Sequence, residues 1–207
     1  MTRAAIAKRP SRSGRSVAKR PARKPAMAPA PDPIATFPKL AELITYLQSL
    51  THRADLEVLS TLLENLDITA KDLKPAVVYG QRGYRRNCIA SSDAFELLCL
   101  TWRSGHCTPI HDHRGVSCAF KVIHGVGTEI RFEVTPSGLV CPCGTVQMQP
   151  GYVCAAEDNA IHQVANMQQP GHDLITLHIY SPKIKKMNTF EFKTSAGAEI
   201  GDVYGKR

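Results

Sequence analysis

From Pro38 to Leu66 the apolar positions recur every three or four residues: Leu40, Leu43, Ile44 and Leu47 in one run, Leu56, Leu59, Leu62, Leu63 and Leu66 in the next. That is the period of a helix with one buried face, so two helices are predicted, joined near Thr51 to Ala54. A short third element is predicted through Ala70 to Tyr79, where Lys71 and Asp72 suit a first turn and Pro75 limits the length. Beyond Gly83 the pattern changes. Short β-prone runs separated by Gly, Pro, Asn and Ser predict eight strands, at 84–89, 95–102, 117–124, 127–134, 145–149, 151–155, 163–167 and 174–181. Strands so short and so closely spaced suit a sandwich or barrel. The chain therefore reads as mainly β, with two or three helices over about 38–79 and a β-roll over about 84–192.

With 207 residues and 43% hydrophobic composition, the chain can bury one full core and is short for two. Its net charge of +8 would suggest a polyanionic partner or a membrane surface if it belonged to the fold. However, nine of the 26 Lys and Arg residues lie within 1–33, with Asp32 as the one acid there, and the remaining 17 basic residues face 17 acidic ones. The excess thus sits on an Ala-, Pro-, Ser- and Arg-rich segment too poor in apolar residues to bury itself. Residues 1–36 are expected to be a disordered basic tail, and 37–207 a single domain. This tail lacks the apolar stretch of a secretory signal, and its prolines interrupt any long amphipathic helix; its scarcity of acids resembles a transit peptide, so organellar import stays open beside the cytoplasmic location expected. Nucleic acid is expected to bind only weakly and through the tail, no run reaches a membrane span, and a monomer is expected. Seven cysteines without a signal peptide are expected to be reduced, with Cys88 and Cys99 as small core residues and Cys141-Pro-Cys143 as a turn between strands.

Candidate chemistry concentrates in Gly105-x5-His111-Asp112-His113-x4-Cys118-x6-Gly125 and in a later run, His162-Gln-Val-Ala-Asn166. His111 and His113 stand two apart, so on a strand both imidazoles leave one face and can close on one metal ion, while His162 must arrive from a distant strand. Asp112 then points the other way, to the surface or behind the ligands. Three neutral imidazoles leave a divalent ion at formal +2, which favours a substrate bringing its own anion, such as a thiolate; imidazoles alone suit zinc as well as iron. Tyr84 and Arg86 share a face by the same parity. An enclosed guanidinium needs an anion, either an amino acid's α-carboxylate or a carboxylate of the protein itself. In the run Thr-Leu-His-Ile-Tyr-Ser-Pro, Thr176, His178 and Tyr180 alternate on one face while Leu177 and Ile179 point away, which reads as a hydrogen-bonded relay. Cys118 taken alone is a small buried thiol, and Gly115 can supply the bulge that brings it into phase with His113.

This spacing resembles the first cupin motif, with Cys118 where most cupins carry a glutamate ligand. Together with Arg86 and Tyr180 it resembles the cysteine dioxygenases, a thiol dioxygenase family of the cupin superfamily, over about Pro38 to Phe192. The resemblance implies a cupin jelly-roll, Fe(2+) on His111, His113 and His162, and conversion of L-cysteine and O2 to cysteine sulfinate. It further implies that Arg86, with Tyr84 beside it, holds the substrate carboxylate, and that Thr176 replaces a serine in a relay with His178 and Tyr180. Tyr180 would orient cysteine and oxygen and carry a thioether bond to Cys118, and the Ser181-Pro182 bond would be cis. Two alternatives remain. The 3-mercaptopropionate dioxygenases look similar but tend to lack both the arginine and the cross-link cysteine. A non-catalytic metal-binding cupin with a nucleic-acid-binding tail would have no use for the row at Thr176, His178 and Tyr180.

Overall fold

The structure, a computed structural model, describes residues 31–191 apart from 114 and 157–159. Order begins earlier than composition alone suggests. Asp32 caps a single helical turn, α1 (Pro33–Thr36), by accepting from the Ile34 amide at 3.0 Å, so the last residues of the expected tail are helical; residues 1–30 lie outside those described. A 3-10 turn (Pro38–Leu40) runs into α2 (Ala41–Gln48), which buries Leu43, Ile44 and Leu47. The next helix, α3 (Leu56–Glu64), starts where Asp55 accepts from the amides of Glu57 and Val58, and it buries Leu59 and Leu63. The third predicted element is a run of turns ending in a 3-10 turn, Lys74–Ala76. Among the described residues no helix is long and apolar enough to cross a membrane.

All eight predicted strands form: β1 (Arg85–Ser91), β2 (Glu96–Trp102), β4 (Ser117–His124), β5 (Gly127–Val134), β6 (Val140–Met148), β7 (Val153–Ala156), β8 (Ile161–Ala165) and β9 (Leu174–Ser181). Two further strands of two residues each, β3 (Ile110–His111) and β10 (Thr189–Phe190), pair with one another and are too short to leave an alternation in the sequence. The strands make two antiparallel five-stranded sheets, ordered β1-β2-β9-β4-β7 and β10-β3-β8-β5-β6, which together form the mainly β jelly-roll sandwich expected. Cys141-Pro-Cys143 lies within β6 rather than in a turn. That strand ends its sheet, where a proline need not donate to a neighbour, and a bulge opposite Arg131 and Phe132 absorbs the irregularity. Cys99 is buried as expected, but Cys88 is exposed, on edge strand β1 beside its own bulge.

β9 is buried along its whole length, and its two faces do different work. Ile175, Leu177 and Ile179 join Leu97, Cys99 and Ala119 against Leu43, Ile44, Leu47, Leu59 and Leu63, so the helices cover the outer face of the first sheet. The alternate residues of β2, β4 and β9, among them Trp102, Cys118, Phe120 and Tyr180, turn inward toward Val164 of the second sheet. The helical layer is fastened by Lys121, whose buried ammonium donates to the carbonyls of Leu63 (2.8 Å), Glu64 (3.4 Å) and Leu66 (2.7 Å) at the C-terminal end of α3. These carbonyls lie in and just past the last turn of α3, where backbone partners run short, although Leu63 also accepts from the Leu66 amide at 3.3 Å, and a cation there faces the negative end of the helix dipole. Lys121→Met, which keeps the stem and removes the donors, is expected to cost about 2 kcal/mol in urea denaturation; an unchanged midpoint would mean that water serves those carbonyls equally well.

Candidate active site

His111 in β3 stands directly opposite His162 in β8. Directly opposed residues of an antiparallel pair have their Cβ atoms about 5 Å apart, so this register alone brings two imidazoles together. The third, His113, lies beyond the end of β3. A turn closed by the Val116 amide on the His113 carbonyl at 2.9 Å, with Gly115 at φ 76°, turns it back on the pair and delivers the chain to β4 in the phase that Cys118 requires. The expectation that both histidines of the motif leave one strand face is therefore corrected: only His111 is in a strand. The three rings still converge, with centroids 4.7, 4.8 and 5.0 Å apart and ligating atoms all within 4.8 Å of one another. Asp112 is buried rather than at the surface, and its Oδ2 accepts from Asn188 Nδ2 at 3.1 Å.

The ring nitrogens are arranged for a cation. His111 Nδ1 donates to the Pro109 carbonyl at 2.9 Å, so its Nε2 presents a lone pair, and His113 Nε2 lies 2.9 Å from it. A proton bridging these two nitrogens is one that a bound metal ion would displace. His162 Nδ1 is held by Glu129 Oε1 at 2.8 Å, while His162 Nε2 is buried without a hydrogen-bond partner. A buried polar atom of that kind costs stability unless something binds it. Burial, with the neighbouring rings adding to it, pushes His111 down to about 4 and His113 down to about 3, so both are neutral donors near pH 7. Burial works against the charge of Glu129, but His162 and Arg131 outweigh it and hold the carboxyl below its ordinary value. Arg131 Nε donates to Glu129 Oε2 at 3.0 Å. Glu129 was invisible to the motif reading. Its parity in β5 could have placed it inward, but only the pairing of Arg131 with His162 shows which ligand it meets.

The cavity above the imidazoles is lined from the first sheet by Arg86, Cys118, His178 and Tyr180, with Tyr84 beside them. Tyr84 precedes β1 instead of lying in it, and it stacks on Trp102 with centroids 4.4 Å apart. Cys118 and Tyr180 face each other in the register of β4 with β9, and the Ser181-Pro182 bond is cis. Thr176, His178 and Tyr180 form a row: His178 Nε2 is 2.9 Å from Thr176 Oγ1, and His178 Nδ1 is 3.3 Å from Tyr180 Oη. Trp102 Nε1 donates to Thr176 Oγ1 at 3.0 Å. An indole can only donate, so Thr176 accepts from it, and the row runs in one sense when the threonine proton goes to His178 Nε2 and the His178 Nδ1 proton to Tyr180. Burial, then Arg86, keeps His178 well below its ordinary value, and burial, then Cys118, keeps Tyr180 well above its own. The relay is thus neutral, and its polarity leaves the Tyr180 hydroxyl proton free to point into the cavity. Arg86 sits 5.2 Å over the Tyr180 ring but does not wait unpaired: its Nη2 donates to Glu96 Oε2 at 2.7 Å.

Against this geometry, a family model described as cysteine dioxygenase type I matches residues 32–193. The chain belongs to the cysteine dioxygenase type I family. It is 27% identical over 145 residues to cysteine dioxygenase type 1 of Danio rerio, covering 68% of this chain and 72% of that protein. It is 24% identical over 161 residues to the Homo sapiens protein of the same name, covering 75% and 80%. A solved structure from Klebsiella pneumoniae, an uncharacterized conserved protein with a double-stranded β-helix domain, is similar at a TM-score of 0.44 and 15% identity, over 58% of this chain and 95% of that one.

Membership of this family supports a thiol dioxygenase with a bound metal, and the three imidazoles are the donors that could hold it. Glu129, which holds the far nitrogen of one of them, orients that ring and fixes which nitrogen faces the site. Glu129→Gln is expected to weaken metal binding about tenfold in competition with a chelator, and His162→Ala to abolish it; equal retention by both variants would refute the assignment.

Proposed function

We propose that the protein is an iron(II)-dependent dioxygenase that converts L-cysteine and O2 to cysteine sulfinate. The observation that carries the proposal is the placing of a guanidinium, Arg86, in the same enclosed cavity as three convergent imidazoles. The reaction balances without a reductant, since a thiol and O2 together contain every atom of the sulfinic acid. Iron held by His111, His113 and His162 would supply the electrons that activate O2 and a positive charge beside the substrate sulfur.

The chain's own residues bind and orient. Arg86 offers N–H groups to the α-carboxylate, in the geometry that suits arginine better than lysine. Tyr84, stacked on Trp102, walls the cavity next to it. Tyr180, its oxygen held by His178, aims its hydroxyl proton at the site of the reacting sulfur and oxygen. Burial pushes the Cys118 thiol up, with Cys154 adding, so a lining of this kind holds a thiolate poorly, which supports a cation as the group that would hold the substrate's. The facing positions of Cys118 and Tyr180 in adjacent strands suit a thioether between them. The same reading takes the enzyme as a cytoplasmic monomer acting on small molecules, with the basic tail outside the chemistry.

Incubation of the iron-loaded protein with L-cysteine and O2 is expected to yield cysteine sulfinate, and a preference for 3-mercaptopropionate in oxygen uptake would replace the substrate assignment. A peptide joining Cys118 to Tyr180 and lighter by two hydrogens is expected in mass spectra of the active enzyme. Arg86→Ala is expected to raise KM for L-cysteine by roughly tenfold to a hundredfold, the loss of a charge-assisted hydrogen bond, with less effect on kcat. Unaltered KM would remove Arg86 from the substrate site.

A further inference from the structure

Arg86 already has a carboxylate. Glu96 opens β2, opposite Tyr180 in the register of β2 with β9, and so stands on the strand positions that frame the cavity. Its Oε2 accepts from Arg86 Nη2 at 2.7 Å, and its Oε1 lies 3.9 Å from Lys183 Nζ. The side chain of Glu96 is 13% exposed and that of Arg86 31%, whereas Lys183 is 40% exposed and at longer range, so Arg86 is the principal partner. The contact uses one N–H of the guanidinium, the Tyr180 side chain is within hydrogen-bonding reach of another, and the remaining donors are left for a ligand. We propose that Glu96 is an internal competitor for Arg86, which weakens the pocket's hold on carboxylate-bearing thiols and thereby sets how strongly they are preferred over thiols without a carboxylate.

The physical reason is a charge count. A substrate carboxylate arriving at an unpaired guanidinium gains a full ion pair, but here it meets a guanidinium partly neutralised by Glu96 and adds a second negative charge a few ångströms from the first. Like charges this close, in a partly enclosed site, repel appreciably whether Glu96 stays in place or swings aside. Lys183 offsets part of that repulsion. A thiol such as 2-mercaptoethanol, which has neither a carboxylate nor any other charge, makes no such demand on Arg86, and its binding is indifferent to the competition.

The inference rests on the reading that Arg86 receives the substrate carboxylate, and the test separates the two. Glu96→Gln keeps the length of the side chain and an acceptor for Nη2 but removes the charge. In the iron-loaded enzyme it is expected to lower KM for L-cysteine roughly tenfold, about 1.4 kcal/mol. The effect should fall on KM rather than kcat, with the KM or inhibition constant of uncharged 2-mercaptoethanol unchanged. Glu96→Asp, which keeps the charge, is expected to stay near the wild-type KM, and Lys183→Met to raise it. Calorimetric titration with L-serine, which carries the same carboxylate and cannot be oxidised to a sulfinate, gives a readout independent of turnover: Glu96→Gln should bind it more tightly. If the wild type forms no cysteine sulfinate while Glu96→Gln still gains affinity for L-serine, the proposed reaction fails and the competition stands. A KM and an L-serine affinity unchanged or worsened by Glu96→Gln would overturn the competition, as would a KM lowered by Lys183→Met should the glutamine variant not fold.

Discussion

The pairing of His111 with His162 across β3 and β8 is a register of two residues on one side, and a slip by a single residue would turn His111 to the other face of the sheet. So short a strand cannot hold its own register by ladder hydrogen bonds. It is held instead from both flanks. On one side the Thr108 amide donates to the Val164 carbonyl at 2.9 Å, Thr108 Oγ1 accepts from the Val164 amide at 3.0 Å, and Gln163 Nε2 donates to the Thr108 carbonyl at 2.8 Å. On the other side β10 pairs Thr189 with His111, and Asp112 is tied to Asn188 through both main chain and side chain. The burial of Asp112 belongs to this clamp, and the position of the third ligand, His113, follows from it.

Around this clamp the charges are paired so that the cavity can tolerate an added cation. Neutral rings cost little to bury together, whereas three imidazoliums would repel one another and Arg86 as well. Each charge that does approach the site arrives with a counter-charge: Glu129 with Arg131 behind His162, and Arg86 with Glu96 at the substrate side. In the function proposed, a divalent ion and an anionic substrate would enter a site near electrical balance, and a thiolate that burial alone would disfavour would be matched by the ion.

What could be read in the sequence follows from periodicity. Alternation along β9 separated Thr176, His178 and Tyr180 from Leu177 and Ile179, and the helical period of the Leu residues in α2 and α3 survives as their buried faces. The histidine spacing pointed to a metal although the parity argument behind it held for His111 alone, because the turn at Gly115 achieved what a regular strand was expected to do. Residues whose part depends on register between distant strands left no local mark. Glu129 reaches His162 only through the pairing of β5 with β8, and Trp102 reaches Thr176 only through β2 and β9. Glu96 had no distinguishing context either: a lone acid at the start of an apolar strand is ordinarily a solvated end, and the possibility that Arg86 meets a protein carboxylate could not be given a partner without the fold.

The two halves of the site differ in how they are supported. Arg86, Glu96, Cys118 and the relay are carried by β1, β2, β9 and β4, and the inner three of these are neighbours in a sheet whose outer face is closed by the helices. The imidazoles are carried by β3, the turn that follows it and β8, on the side of the facing sheet, with β3 reduced to two residues beside the equally short β10. Core packing thus fixes the half that carries Arg86, while hydrogen bonds fix the half that carries the imidazoles, and in the function proposed the ion would add to them. A metal ion is well suited to complete the less supported half, because coordination to His111, His113 and His162 bridges a strand, the loop beyond it and a second strand that the backbone alone joins through so few bonds. It follows that binding of the metal should stabilise the β3 region more than the helical layer, since only the former lacks a core of its own.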